Sequence, residues 1–154
     1  MRTPRLDRDR QQWIFDYLVQ ETGKVFHWDE DGRQVPASVK SHAQISKHLG
    51  RMGQRFERVA AEEEAAGHSA TAFELYYRAS STFAAAQHPV LETNDEKRYL
   101  HGRCIANYEK VIEHAPHKIE RLEIPFEGVE LQCNFHLMPG EPKAPLVIFI
   151  PGCD

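Results

Sequence analysis

The chain has 154 residues, 19 Lys and Arg against 23 Asp and Glu, and a formal net charge of -4. That balance excludes a phosphate-tracking nucleic-acid binder, which needs a cationic surplus to displace counterions. At 41% hydrophobic and 27% charged residues, the composition is that of a folded domain and too apolar for disorder.

No run reaches the roughly 18 apolar residues of a membrane span, and the opening MRTPRLDRDR lacks the apolar block of a signal peptide. A cytoplasmic protein with no membrane or nucleic-acid partner is therefore expected. Cys104, Cys133 and Cys153 are far apart and form no C-x-x-C pair, which argues against a disulfide framework or a zinc site. Residues 1–60 carry 11 basic and 8 acidic side chains, residues 61–154 carry 8 and 15. Opposite signs alternate within both halves, so the charges, the Glu62-Glu63-Glu64 run included, read as solvated helix faces.

In chain order, Asp7 or Asp9 can cap a first helix in which Trp13, Ile14, Tyr17 and Leu18 recur until Gly23. A turn or loop follows at residues 26–32. From Ser38 to Ala66, the residues Ile45, Leu49, Met52, Phe56 and Val59 form one apolar stripe, ending at Gly67. Ser69 is the expected cap of a third helix with a buried face of aromatics and alanines, broken at His88-Pro89. Thr93-Asn94-Asp95-Glu96 has the capping-box form and opens a fourth helix through Leu100, Cys104, Tyr108 and Val111 to Pro116.

Beyond Pro116 the period becomes two. Leu122, Ile124 and Phe126, then Val129, Leu131, Cys133, Phe135 and Leu137, alternate with polar residues around Glu127-Gly128, predicting a half-buried hairpin. A proline-rich connection leads to Leu146-Val147-Ile148-Phe149-Ile150, apolar at every position, as a strand covered on both faces requires.

The Ile124-Pro125-Phe126-Glu127-Gly128 turn and the Val147 to Asp154 stretch, Val-Ile-Phe-Ile-Pro-Gly-Cys-Asp, resemble the entry to the catalytic domain of α/β hydrolases. The likeness is to those related to 2,6-dihydroxypseudooxynicotine hydrolase and to fungal polyketide-shortening hydrolases. Gly67-His68-Ser69-Ala70-Thr71-Ala72 and Tyr76-Tyr77-Arg78-Ala79 are similar to the helical N-terminal domain of that group. The resemblance implies an α/β fold with a cap-like helical domain at residues 1–116 and the start of the catalytic sheet at 117–154. The implied complete protein is a serine hydrolase, with no cofactor or metal, that cleaves a carbon-carbon or ester-type bond in a small carbonyl substrate, aromatic or polyketide-like. It also implies a homodimer.

In that fold one oxyanion-hole N–H comes from the loop after the third strand. The resemblance places Gly152 and Cys153 there, as backbone donors, and makes Tyr76 and Tyr77 candidate substrate contacts. Cys153 as a thiolate nucleophile is the sharper alternative, but no base can be placed beside it. Asp154 reads as a helix cap. No G-x-S-x-G occurs, and no serine from Ser38 to Ser81 lies between a strand and a helix, so no triad residue is assigned. The 154 residues are accordingly expected to be a cut point that lacks nucleophile, acid and histidine, and to be inactive alone.

Nine histidines include no H-E-x-x-H; His42 and His48 are six apart and Pro116 separates His114 from His117. No metal site is expected, and His136 is expected to face water or the helical domain. A second function class, a tetratricopeptide-like interaction module, also fits the Ala- and Tyr-rich helices. It lacks self-similarity at the roughly 34-residue period of such repeats.

Overall fold

The computed structural model describes residues 39, 41–140 and 143–149, in the element order α1 (His42–Ala65), α2 (Ser69–Gln87), α3 (Asp95–His114), β1 (Ile119–Phe126) and β2 (Val129–His136). The helix expected at residues 7–23 and the loop at 26–32 lie outside the described residues. The chain divides into two compact units, residues 1–114 and 115–154.

In the first unit α2 packs against both α1 and α3. Leu49, Ala79, Phe83, Ala86, Val90 and Leu100 form one core cluster; Ala60, Ala72, Tyr76 and Val111 form a second. Burying each large apolar side chain contributes about 1.5–3 kcal/mol, so these two layers hold the helices together. The stripe expected on α1 faces the core: Leu49 is buried within it, and Ile45, Met52 and Phe56 pack against it. Gly50, Gly53 and Ala60 are buried at the centre, whereas Ile45, Met52, Phe56 and Val59 flank it, half-buried. Small residues let the backbones approach: a Cβ on Gly53 would stand 3.1 Å from atoms of the Phe83 ring, and one on Gly50 would stand 3.3 Å from Leu100.

Helix ends follow local chemistry. At the end of α1 the Gly67 N–H donates to the Glu64 carbonyl (2.9 Å) and the His68 N–H to that of Glu63 (2.9 Å). Gly67 has φ +80. This is the double-bonded Schellman terminus, whose left-handed residue suits glycine. Gly67→Val is expected to cost about 1–2 kcal/mol, because a β-branched side chain clashes with the following carbonyl in that conformation. The loss is read from the urea midpoint, with Gly67→Asn expected to lose less.

Two expected caps are corrected. Ser69 is the first residue of α2, and His68 holds the cap position without a side-chain cap bond. For α3 the cap is Asn94, whose Oδ1 accepts from the Lys97 N–H at 2.9 Å. Thr93 lies one residue too early for the T-x-x-E pattern to close.

The second unit is an antiparallel hairpin, with Phe126 opposite Val129 and Ile119 opposite His136. Glu127 and Gly128 have φ of 47 and 83, so both turn residues are left-handed, as in a two-residue turn that matches strand twist. Leu122, Ile124 and Phe126 lie across from Cys133, Leu131 and Val129 on one face. That face was expected to be half-buried, yet Phe126 is 54% and Val129 59% exposed. Two strands alone provide no second layer. Residues 144–149 form no strand, and Phe149 is 87% exposed. The only sheet among the described residues is the hairpin, which offers that run no ladder. No helix among the described residues is long and apolar enough to cross a membrane.

Candidate functional site

Polar side chains concentrate where α1 faces α3. Glu57 and Glu64 are seven residues apart on one side of α1, with buried Ala60 between them. Arg103, Asn107, Lys110 and His114 step by four, three and four along α3, so they share a face. In the middle of the unit, buried Asn107 donates through Nδ2 to Glu57 Oε1 (2.8 Å) and to the Arg103 carbonyl (2.8 Å). The Arg103 guanidinium pairs with the same Glu57 carboxylate, which holds it more firmly charged than usual.

Two turns further along α1, Glu64 takes three partners. The Tyr76 hydroxyl donates to its Oε2 at 2.6 Å, and the Lys110 ammonium to its Oε1 at 3.1 Å. His114 Nε2 is 3.1 Å from that same oxygen but out of line for a hydrogen bond. Lys110 also donates to Glu113 at 2.7 Å, and the His114 ring lies parallel to that of Tyr76, centroids 6.1 Å apart.

These contacts decide protonation. The Tyr76 hydroxyl, then Lys110 and His114, hold the Glu64 carboxyl down at about 2. Burial, then the adjacent Glu64 charge, push the Tyr76 phenol up to about 12. Glu113 and Glu64 raise Lys110 above the usual lysine range. Glu64 is thus fixed as an anion, Tyr76 as a neutral donor and Lys110 as a cation throughout the neutral range. None is poised to exchange a proton near pH 7, as a general acid or base must be. The arrangement fastens α1 to α3 through Lys110 and to α2 through Tyr76.

Glu64, Glu113 and His114 bring three potential metal-ligand atoms within 4.8 Å of one another. The Lys110 ammonium already bonds both carboxylates, and Tyr76 occupies the remaining Glu64 oxygen. A cation would have to displace both, so the cluster is better satisfied as it stands.

Of the residues singled out from the sequence, Gly152 and Cys153 lie outside the described residues, as does Asp154. Tyr76 and Tyr77 are separated by the helical rotation: Tyr76 is buried against Ala60, Ala72 and Val111, while Tyr77 is 52% exposed. Glu64 was not anticipated, since the Glu62-Glu63-Glu64 run reads as a solvated face. Glu62 fits that reading, paired with Arg58 across one turn. The missed signal was the seven-residue spacing of Glu57 and Glu64, matched by the basic and amide residues along α3.

No family model matches the chain. It is 34% identical over 131 residues to the alpha/beta hydrolase gkaG of Penicillium citrinum, a match covering 79% of this chain and 30% of that protein. It is 33% identical over 105 residues to the alpha/beta hydrolase ucsC of an Acremonium species, covering 58% of this chain and 21% of that protein. The chain therefore spans less than a third of the length of these curated relatives. Both relatives carry the name alpha/beta hydrolase, and over the matched residues this chain is similar to part of such proteins.

Proposed function

We propose that this chain supplies the cap-like helical domain, residues 1–116, and the entry strands, residues 117–154, of a serine hydrolase of the α/β-hydrolase fold. The supporting observation is the similarity to two proteins named as α/β hydrolases over as much as 79% of the chain. The substrate is a small carbonyl compound, aromatic or polyketide-like, cleaved at a carbon-carbon or ester-type bond in the cytoplasm, by a homodimer. The finer affinity with pseudooxynicotine and polyketide-shortening hydrolases belongs to the same proposal.

In this reading the helical domain shapes the pocket, and the backbone N–H groups at Gly152 and Cys153 contribute to the oxyanion hole. Donors held in a turn need no reorganisation as negative charge develops on the carbonyl oxygen, and one such donor contributes about 10²–10³ in rate. The attacking group is a serine in a G-x-S-x-G elbow, a motif that residues 1–154 do not contain.

Two measurements test this. The purified 154-residue chain is expected to show no turnover of p-nitrophenyl esters, whereas activity abolished by Cys153→Ala would move the nucleophile to that thiol. The encoding DNA is expected to continue in frame and to specify G-x-S-x-G within about the next hundred residues, as the fold's chain order of Ser, acid and His requires. A stop codon directly after Asp154 would instead favour a helical interaction module.

A further inference from the structure

The solvent side of α1 carries a row of cations. Lys47, Arg51, Arg55 and Arg58 step by four, four and three residues, so they follow one another along one side of the helix at about 6 Å per step. All four are exposed. Arg58 is paired with Glu62, whereas Lys47, Arg51 and Arg55 meet no carboxylate among the described residues. Residues 42–58 hold one acid, Glu57, and that side chain is taken by Arg103 and Asn107. The row also stands against the polarity of its own helix. Cations gain at the C-terminal end of a helix and anions at the N-terminal end, yet α1 has no acid in its first turn and no base in its last, where Glu62, Glu63 and Glu64 cluster. Beyond the Arg58–Glu62 pair, no interaction within α1 favours the row.

A matching set of anions lies in the hairpin unit. Glu123 is opposite Gln132, so Glu130 is its diagonal neighbour on the same face, about 7–8 Å away. Both are exposed. The neutral Gln132 amide donates to Glu123 at 3.0 Å and leaves its charge uncompensated. Glu127, in the adjoining turn, adds a third exposed carboxylate. The separation of Glu123 and Glu130 is close to one step of the α1 row.

We propose that two copies of this chain associate through this complementarity, the α1 row of each copy taking the Glu123 and Glu130 carboxylates of the other. The inference gives a contact to the homodimer of the proposed function and rests on that reading. Charge decides the occupant. The row has Gln44 and Gln54 beside it and no large exposed apolar side chain to enter a bilayer, while a net charge of -4 opposes a phosphate polymer. A second copy supplies what is missing, since its residues 61–154 carry 15 acids against 8 bases. Arginine suits the contact because its planar guanidinium takes a carboxylate through two parallel hydrogen bonds. Each copy gives one row and one hairpin, so two such contacts about a two-fold axis close the dimer.

Sedimentation velocity of the 154-residue chain, from about 5 to 500 μM, tests the contact. Exposed ion pairs are individually weak and screened by salt, so dimerisation is expected at about 10–100 μM in ~20 mM NaCl and about tenfold weaker or more in ~300 mM. Arg51→Glu with Arg55→Glu, and separately Glu123→Lys with Glu130→Lys, are each expected to be monomeric. Mixed, the two variants are expected to dimerise again, because each supplies the sign that the other has lost. Glu74→Lys with Glu92→Lys makes the same change in net charge as the hairpin pair and is expected to leave the dimer intact. Circular dichroism establishes that each variant is folded. A mixture that stays monomeric overturns the proposal. A native chain that is monomeric at low salt overturns it together with the homodimer as a property of this chain. A native dimer that both charge-reversed variants retain overturns this contact and leaves the homodimer standing.

Discussion

Phe83→Ala is expected to destabilise the helical unit by about 3–5 kcal/mol, the range for emptying a fully buried aromatic site. Phe83 has 0% exposure, lies in the cluster with Leu49, Ala79, Ala86, Val90 and Leu100, and presents its ring 3.1 Å from where a Cβ on Gly53 would stand, so any side chain there must push the ring aside. The same geometry predicts the opposite error: Gly53→Val is expected to cost about 1–3 kcal/mol by overpacking, beyond any gain from removing a helical glycine. Because the two positions share one volume, Gly53→Val with Phe83→Leu is expected to cost less than the two changes added. Urea unfolding followed at 222 nm measures all four. Additive losses would mean that the ring and the glycine do not meet. The milder Phe83→Leu keeps the comparison possible if Phe83→Ala fails to fold.

That contact also marks how far periodicity reaches. The stripe Ile45, Leu49, Met52, Phe56 and Val59 places a helix from Ser38 to Ala66 with α1 at His42–Ala65 inside it, because spacing of apolar residues records which side faces a neighbour. It does not record how closely the neighbour approaches. The centre of the interface belongs to Gly50, Gly53 and Ala60, whose small side chains add little to an apolar pattern. Caps were legible only to within a residue. Asn94 and Thr93 both suit a cap, and the choice rests on which side chain reaches Lys97. The hairpin was plain from its period of two and its Glu127-Gly128 turn. Leu146 to Ile150 shows what a pattern leaves out: an all-apolar run states a preference for cover on both faces, while strand pairing also needs a neighbour with free N–H and C=O groups.

The polar clusters were less legible still, for an electrostatic reason. A charged residue on an amphipathic helix reads as solvated, and for Glu62 beside Arg58 that is right. Glu64 differs only through residues 12, 46 and 50 positions away, Tyr76, Lys110 and His114, which meet it because α2 and α3 fold back across the end of α1. The His117–His136 hydrogen bond likewise joins residues 19 positions apart, which no helical spacing records.

Glu64→Gln is expected to cost about 1–2 kcal/mol at pH 7, an amount scaled down from that of a wholly buried ion pair because Glu64 and Lys110 remain partly exposed. The substitution keeps an acceptor for the Tyr76 hydroxyl but removes the charge that Lys110 and His114 face. Its acid dependence is the sharper readout. The Glu64 carboxyl is held at about 2 in the fold against 4.5 for the ordinary group, so below pH 4.5 the unfolded chain binds the proton first. The stabilisation from Glu64 is therefore complete above pH 4.5 and is lost as pH falls toward 2. The difference in stability between the native chain and Glu64→Gln should accordingly shrink as pH falls below 4.5. Tyr76 gives the alkaline counterpart, with its phenol held at about 12 against 10. Its contribution is complete below pH 10 and is lost as pH rises toward 12, and Tyr76→Phe should abolish that alkaline loss. Urea midpoints collected across pH 2–12 on the three proteins measure both arms. A Glu64→Gln difference that stays flat down to pH 2 would mean that the carboxylate is not held by Tyr76 and Lys110, and that Glu64 does not join the three helices.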